Sequence, residues 1–305
     1  MSPRLIAVLQ AVFVTFLWST SWVLIKVGLQ SDLPALTFAG VRYSLAALVL
    51  APWVLLHPKM RASMRGLSRR TWARLAIYGL ILYTLTQGAL FLSLSLLPAN
   101  PVSLVLNLTP VLVAGVTTAL GREQPAAHQW AGVAVAAIGT GIFFLPLGAV
   151  PFSTAGLLAL LFCLGANAAS SLMGRAVNRQ SVVPALIVTF VSMAAGSFTL
   201  LAVGLATQGA GTWTPQSWLI VAWLALVNTA LTFTLWNRTL RTLTAVESSI
   251  LNGLMLPQIV LLAFWFLGET LTARQVVGLL LVAAGTVAVQ VQRRRSAPPE
   301  AIAFR

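Results

Sequence analysis

Apolar residues along this chain gather into long runs, and polar residues concentrate in the short gaps between them. A bilayer core needs about 20 mostly apolar residues per helix. Ten runs of that kind follow one another at 5–28, 34–56, 73–97, 100–120, 127–146, 153–175, 182–207, 215–239, 244–267 and 272–291. The connections are short except for 57–72, and nothing remains from which to build a soluble domain.

Local signals punctuate the runs. Pro34, Pro101 and Pro215 stand where a first helical residue is expected, with Asn100 and Thr214 as N-caps before two of them. Thr244 with Glu247, and Thr272 with Gln275, have capping-box spacing. Arg4 before an apolar stretch could open a signal peptide, but no small-residue cleavage site follows, and Trp18, Trp22 and Lys26 suit a retained helix.

Composition and charge refine this picture. Only 8% of the 305 residues are charged and 58% are hydrophobic, whereas an ordinary globular chain has about 25% charged. A soluble surface could not be covered so thinly. The net charge of +14 would alone point to nucleic acid, but the basic residues sit elsewhere than on a binding face. With ten spans both termini share a side. That side holds Arg4, Lys59, Arg61, Arg65, Arg69, Arg70, Arg74, Arg122, Arg175, Arg179, Arg238, Arg241, Arg293, Arg294, Arg295 and Arg305. Opposite lie Lys26 and Arg274, and Arg42 falls inside the second run. The positive-inside rule therefore places both termini in the cytoplasm. The clusters at 59–74 and 293–295 could also meet anionic headgroups, although an orientation signal accounts for them.

Two stretches repeat one another. Pro110, Leu120-Gly121-Arg122-Glu123, Gly132 and Gly139 match Pro257, Leu267-Gly268-Glu269, Gly278 and Gly285, with equal Pro-to-Gly intervals and one extra residue at Arg122. They mark the last two runs of each five-run half. Five is odd, so the second half must run inverted, an arrangement recurrent in transporters that hold substrate near the midplane.

These residues also carry a family likeness. Leu17-Trp18-Ser19-Thr20-Ser21-Trp22 resembles the opening Trp-small-polar motif of the drug/metabolite transporter superfamily, EamA type, and Gly40-Val41-Arg42 resembles its second-span arginine. Trp236-Asn237-Arg238-Thr239-Leu240, Ala245, Pro257, Leu267-Gly268-Glu269, Leu271-Thr272, Gln275, Gly278 and Gly285 resemble its second-half signature, and the likeness runs from about residue 8 to 290. It implies ten transmembrane helices in two inverted-topology five-helix repeats around a central cavity. It also implies export or exchange of small metabolites such as amino acids across a bacterial-type inner membrane. Cys163 and Ser192 stand where alignment would place counterparts of Trp18 and Arg42, so the halves are not chemically equivalent.

Polar side chains inside the runs are candidates for a pathway or for helix–helix contacts. Thr15, Trp18, Trp22 and Lys26 share one stripe of the first run, with Ser21 beside it; such a stripe either packs or faces substrate. The third run offers Tyr83 and Gln87, the fourth Asn107, the sixth Asn167, the eighth Asn228 and Thr232, and the ninth Asn252. Pro110 and Pro257 each withhold a hydrogen bond, making them candidate hinges whose freed carbonyls bind substrate or are satisfied by neighbours. Arg42 either attracts a substrate carboxylate or donates to backbone carbonyls or snorkels outward. The fifth and tenth runs look like packing helices, with Gly132, Ala136 and Thr140 at four-residue spacing.

No carboxylate falls in the middle of a run, which argues against a buried acidic proton relay. One cysteine excludes a disulfide framework, and His57 and His128 lack neighbours at metal-ligand spacing, so no metal or cofactor is expected. An intramembrane enzyme would need a nucleophile with its base or paired carboxylates, and no such set is evident. A channel-like facilitator is the main alternative to a carrier. The expected protein is thus an all-α integral membrane transporter, with repeats at 5–146 and 153–291 and a cytoplasmic basic tail at 292–305. Its partners are a small-molecule substrate and membrane lipid, with no nucleic acid. The oligomeric state is left open, and a monomer suffices.

Overall fold

A computed structural model describes residues 3–30, 33–119, 127–145, 153–179, 183–239, 242 and 251–290. Every regular element among them is helical. In chain order these are α1 (Pro3–Leu29), α2 (Ala35–Leu55), α3 (Pro58–Arg65), α4 (Arg69–Gly79), a π-helical segment π1 (Leu80–Gln87), α5 (Gly88–Leu96), α6 (Ala99–Leu106) and α7 (Thr109–Ala119). There follow α8 (Ala127–Phe144), α9 (Thr154–Arg179), α10 (Ala185–Gln208), α11 (Pro215–Ala225), the second π-helical segment π2 (Leu226–Leu231), α12 (Thr232–Thr239), α13 (Met255–Leu267) and α14 (Ala273–Gln290). The Glu123 and Thr244–Glu247 signals and the basic tail lie outside the described residues.

Among the described residues, six helices are long and apolar enough to cross a membrane: Arg4–Leu29, Ala35–Leu55, Arg69–Leu96, Thr154–Gly174, Ala185–Gln208 and Pro215–Trp236. Four shorter apolar helices, Ala99–Val113, Trp130–Phe144, Leu251–Leu267 and Ala273–Ala288, occupy the places of the other four runs. Many large apolar side chains face outward, such as Leu5, Leu9, Phe13 and Phe16 along one side of α1. An exposed apolar stripe on a long helix needs lipid to cover it. The chain is a multi-pass integral membrane protein.

The expected boundaries need local corrections. The connection at 57–72 is not all loop: it contains α3 and a turn capped by Ser68, whose Oγ accepts from the Thr71 amide at 3.1 Å. Thr214 caps α11 as expected, accepting from the Ser217 amide at 3.1 Å with Pro215 as first helical residue. Thr272 and Gln275 form the reciprocal capping box, with bonds of 2.9 and 3.3 Å. Asn100 is not a cap. It lies inside α6, whose N-cap is Pro98, and Pro101 follows it within the first turn. Pro34 likewise is the N-cap of α2 rather than its first residue.

The helices of the two halves pair reciprocally. α2 lies along α10, and α8 along α14. α1 packs on α12 and α13 of the second half, while α9 packs on π1, α5 and α7 of the first. Glycine sets the distance at the closest crossings. A Cβ on Gly139 would fall 2.6 Å from the Gly278 carbonyl oxygen, and one on Gly285 would fall 2.5 Å from the Ala136 nitrogen and the Gly132 carbonyl oxygen. The small-residue stripe of the fifth run is therefore a contact surface, since close approach lets two backbones gain dispersion energy where no hydrophobic force separates protein from lipid.

Gly278→Val should lower the melting temperature in detergent, because overpacking costs about 1–3 kcal/mol even where side chains can yield, and here backbone stands in the way. Gly141→Ala, at a position with nothing within 4 Å of the added carbon, should leave it unchanged or slightly higher.

Candidate functional site

Two irregularities recur at corresponding places in the halves. The first is the pair of π segments, in which one extra residue per turn displaces the helix face. In π1 the Thr86 hydroxyl donates to the Ile81 carbonyl at 2.9 Å, and in π2 Thr229 donates to Leu224 at 2.8 Å. Each hydroxyl thus reaches five residues back and closes the widened turn. The second is a break in the following helix. α6 ends at Asn107 and α7 begins at Thr109, while residues 251–253 are helical up to a turn at Leu254 before α13. Pro110 and Pro257 both fall in the first turn after the break, so neither interrupts the interior of its helix.

Arg42, on α2, stands beside π2. It is 4% exposed. Its Nε donates to Thr229 Oγ1 at 3.1 Å, and one terminal nitrogen donates to Ser21 Oγ at 3.4 Å and to the Asn228 carbonyl at 3.5 Å. The guanidinium carbon lies 5.0 Å from the Tyr43 ring centre and 6.0 Å from that of Phe91. Arg42 therefore does not snorkel; the charge is held inside by hydroxyls, a carbonyl and aromatic faces. Next to it, the Asn228 amide nitrogen donates to the Leu17 carbonyl and to Thr20 Oγ1, the latter at 2.9 Å, while its buried Oδ1 has no hydrogen-bond partner among the described residues.

An aromatic path crosses the same region. Trp18 donates from Nε1 to Thr232 Oγ1 at 2.9 Å, and its ring lies 5.2 Å from Trp236 and 5.4 Å from Phe233. Phe233 continues to Tyr83 at 6.3 Å, and Tyr83 to Tyr43 at 5.4 Å. The Tyr43 hydroxyl donates to Gln87 Oε1 at 2.7 Å. Trp18, Phe233, Trp236 and Gln87 are half-buried, whereas Tyr83, Ser21, Asn228 and Thr232 are buried. The path thus joins α1, α2, π1 and α12.

The break after α6 is lined separately. Asn167 on α9 donates to Thr109 Oγ1 at 3.0 Å, and Thr109 donates to the Leu106 carbonyl at 2.6 Å. That carbonyl is the one Pro110 leaves without an amide. The Asn107 carbonyl accepts from Thr286 at 3.3 Å, and the Asn107 side chain is half-buried. At the other break Ser19 donates to Gln258 Oε1 at 3.0 Å and approaches the Met255 carbonyl at 3.5 Å. Each break therefore meets the first helix of the opposite half.

Two charges complete the arrangement at the α5–α6 turn. Lys26 Nζ donates to the Leu94 and Leu97 carbonyls, both at 2.8 Å. Glu269 accepts from the Ala99 amide at 2.6 Å and the Asn100 amide at 2.9 Å. A cation thus sits on the C-terminal carbonyls of one helix and an anion on the N-terminal amides of the next, each on the favoured end of a helix dipole. Gly268, at φ 66°, makes this reach possible by reversing the chain after α13.

Of the residues singled out in the sequence, Trp18, Ser21, Arg42, Tyr83, Gln87, Asn228 and Thr232 join one connected network. Asn107 and Asn167 line the first break. Trp22 is buried in the main hydrophobic core. Asn252 is exposed and joins neither group. Sequence reasoning passed over Tyr43 and Phe233, which link the others; the adjacency of Tyr43 to Arg42 was the available signal. Glu269, present in the sequence only as part of the Leu267-Gly268-Glu269 motif, orders a helix start in the other half.

The sequence profile described as the EamA-like transporter family matches residues 5–145 and again 154–290. No curated protein matches the sequence. Among solved structures, one described as "Crystal structure of protein" superposes with a TM-score of 0.62 at 18% identity, over 91% of this chain and 95% of its own. A likeness at that identity shows the fold alone.

Glu269→Ala should destabilise the protein by about 1–3 kcal/mol, the cost of leaving charge-assisted amide bonds unmade. Thermal unfolding in detergent checks this, and Glu269→Gln, which keeps one acceptor oxygen, should fall between wild type and Glu269→Ala.

Proposed function

The chain belongs to the EamA-like transporter family, within the drug/metabolite transporter superfamily, and from that premise we propose that it exports or exchanges small metabolites such as amino acids by alternating access. The observation that carries this reading is the connected polar and aromatic network around Arg42, drawn from α1 and α2 of the first half and α12 and π2 of the second. Polar groups are costly in hydrocarbon and mark substrate paths. A network shared by both halves changes whenever the halves move.

In the proposed arrangement all ten apolar helices cross the membrane, in inverted repeats at 5–146 and 153–291. Both termini and the tail from 292 lie in the cytoplasm of a bacterial-type cell. The reciprocal pairing of the halves supports the inversion. Trp18 and Tyr83 contact apolar parts of the substrate, while Ser21, Gln87, Asn107, Asn167, Asn228 and Thr232 serve its polar ends. Arg42 offers charge to a carboxylate, and Pro110 and Pro257 mark hinges. Rocking of the halves about the central network exposes it to each side in turn. Lys26 and Glu269 tie the face opposite the termini shut, because Glu269 belongs to one half and the helix start it caps to the other.

Flux of a radiolabelled amino-acid panel into proteoliposomes tests the reading. A carrier saturates and shows counterflow with unlabelled substrate; linear, non-saturating flux would instead identify a facilitating pore. Gln87→Ala and Asn107→Leu should each reduce flux at least fivefold while both variants still unfold cooperatively on heating in detergent. Wild-type rates in both variants would remove those residues from the pathway.

A further inference from the structure

The segment joining α2 to α4 has a chemistry the transport reading does not use. Lys59, Arg61 and Arg65 of α3, with Arg69, Arg70 and Arg74 of α4, are all exposed. No acidic residue occurs between Leu33 and Arg122. Among the described residues the one carboxylate, Glu269, is committed to the amides of Ala99 and Asn100. Six positive charges therefore share one small surface with no described counter-charge.

α3 is amphipathic, yet its apolar side is already covered. Met60 and Met64, one helical turn apart, pack with Leu67 against Val54 and Leu75 of the first half and Ile187, Val188 and Val191 of the second. The helix therefore has no free apolar face with which to dip into a bilayer, and what it presents is charge. Large apolar side chains stand immediately beside it: Trp53 is 72% exposed, Leu56 78% and Trp72 39%. Tryptophan at the end of a membrane helix marks headgroup level. Acyl-chain contacts and headgroup charge thus meet at one edge of the molecule, over a seam between the halves.

We propose that α3 and the start of α4 form a binding site for anionic phospholipid, with the arginines on the headgroup phosphate and net charge and Trp53, Leu56 and Trp72 against the upper acyl chains. The guanidinium fork suits phosphate oxygens, and several such charges favour a net-negative headgroup over a zwitterionic one. The site goes beyond the transport reading, since lipid binding is measured without any substrate.

Native mass spectrometry of the purified full-length protein, titrated with dioleoyl phosphatidylglycerol or dioleoyl phosphatidylcholine, tests it. Phosphatidylglycerol should bind at least tenfold more tightly, and the preference should shrink as salt is raised and the charges are screened. The combined variant Arg61→Gln, Arg65→Gln, Arg69→Gln and Arg70→Gln should lose at least tenfold in phosphatidylglycerol binding, with phosphatidylcholine binding and melting temperature unchanged. Arg274→Gln, far along the chain at α14, should bind as wild type. The same four positions changed to Lys should restore most of the preference. Equal binding of the two lipids by the wild type, or full phosphatidylglycerol binding by the Gln variant, would overturn the proposal and leave the charges as an orientation signal only.

Discussion

Inside hydrocarbon no water can satisfy a backbone amide or carbonyl, and every departure from the plain α-helix must bring its own partner. This constraint governs the irregular parts of the molecule. The two widened turns are closed by Thr86 and Thr229. The carbonyl that Pro110 leaves open is taken by Thr109, and the next one by Thr286. The exposed ends at the α5–α6 turn are held by Lys26 and Glu269. The irregular backbone near the Arg42 network is thus supported by short side chains whose positions are fixed by their own helices.

The halves share a backbone plan but not a chemistry. Arg42 enters a pocket of hydroxyls beside π2. At the corresponding place in the second half Ser192 lies where the backbones touch, since a Cβ on Gly79 would run into the Ser192 carbonyl. Likewise Trp18 reaches Thr232 through its ring nitrogen, whereas Cys163 gives only a thiol contact to the Thr86 carbonyl at 3.3 Å. The first half thus contributes the charge, whereas both contribute aromatic rings, Trp18, Tyr43 and Tyr83 from the first and Phe233 and Trp236 from the second. A substrate bound among them would meet two unlike walls.

What could be read in the sequence was what is local. Thr214 and Thr272 announce helix starts because their partners stand three residues away. The Gly132, Ala136 and Thr140 stripe announces a close crossing because small side chains at helical spacing let a second backbone approach. The misassigned Asn100 fails for the opposite reason: its amide does find an acidic partner, but that partner is Glu269 on the far side of the sequence. The π segments were invisible because one extra residue in a turn barely alters a uniformly apolar run. The break at Asn107 was hidden in the same way. Tyr43 and Phe233 read as ordinary apolar residues, and only the three-dimensional arrangement makes them links between Tyr83, Gln87 and Trp18.

Glu269 and Ala99 are 170 residues apart in sequence, and that distance has a consequence for biosynthesis. A ribosome adding about 5–20 residues per second needs on the order of 10–30 s to make the carboxylate after the helix start it will cap. During that interval the first half rests in the membrane with the α6 amides lacking their final partner. Early insertion of this chain therefore relies on a provisional arrangement, and the first half reaches its finished form only once the second half has been made as far as Glu269.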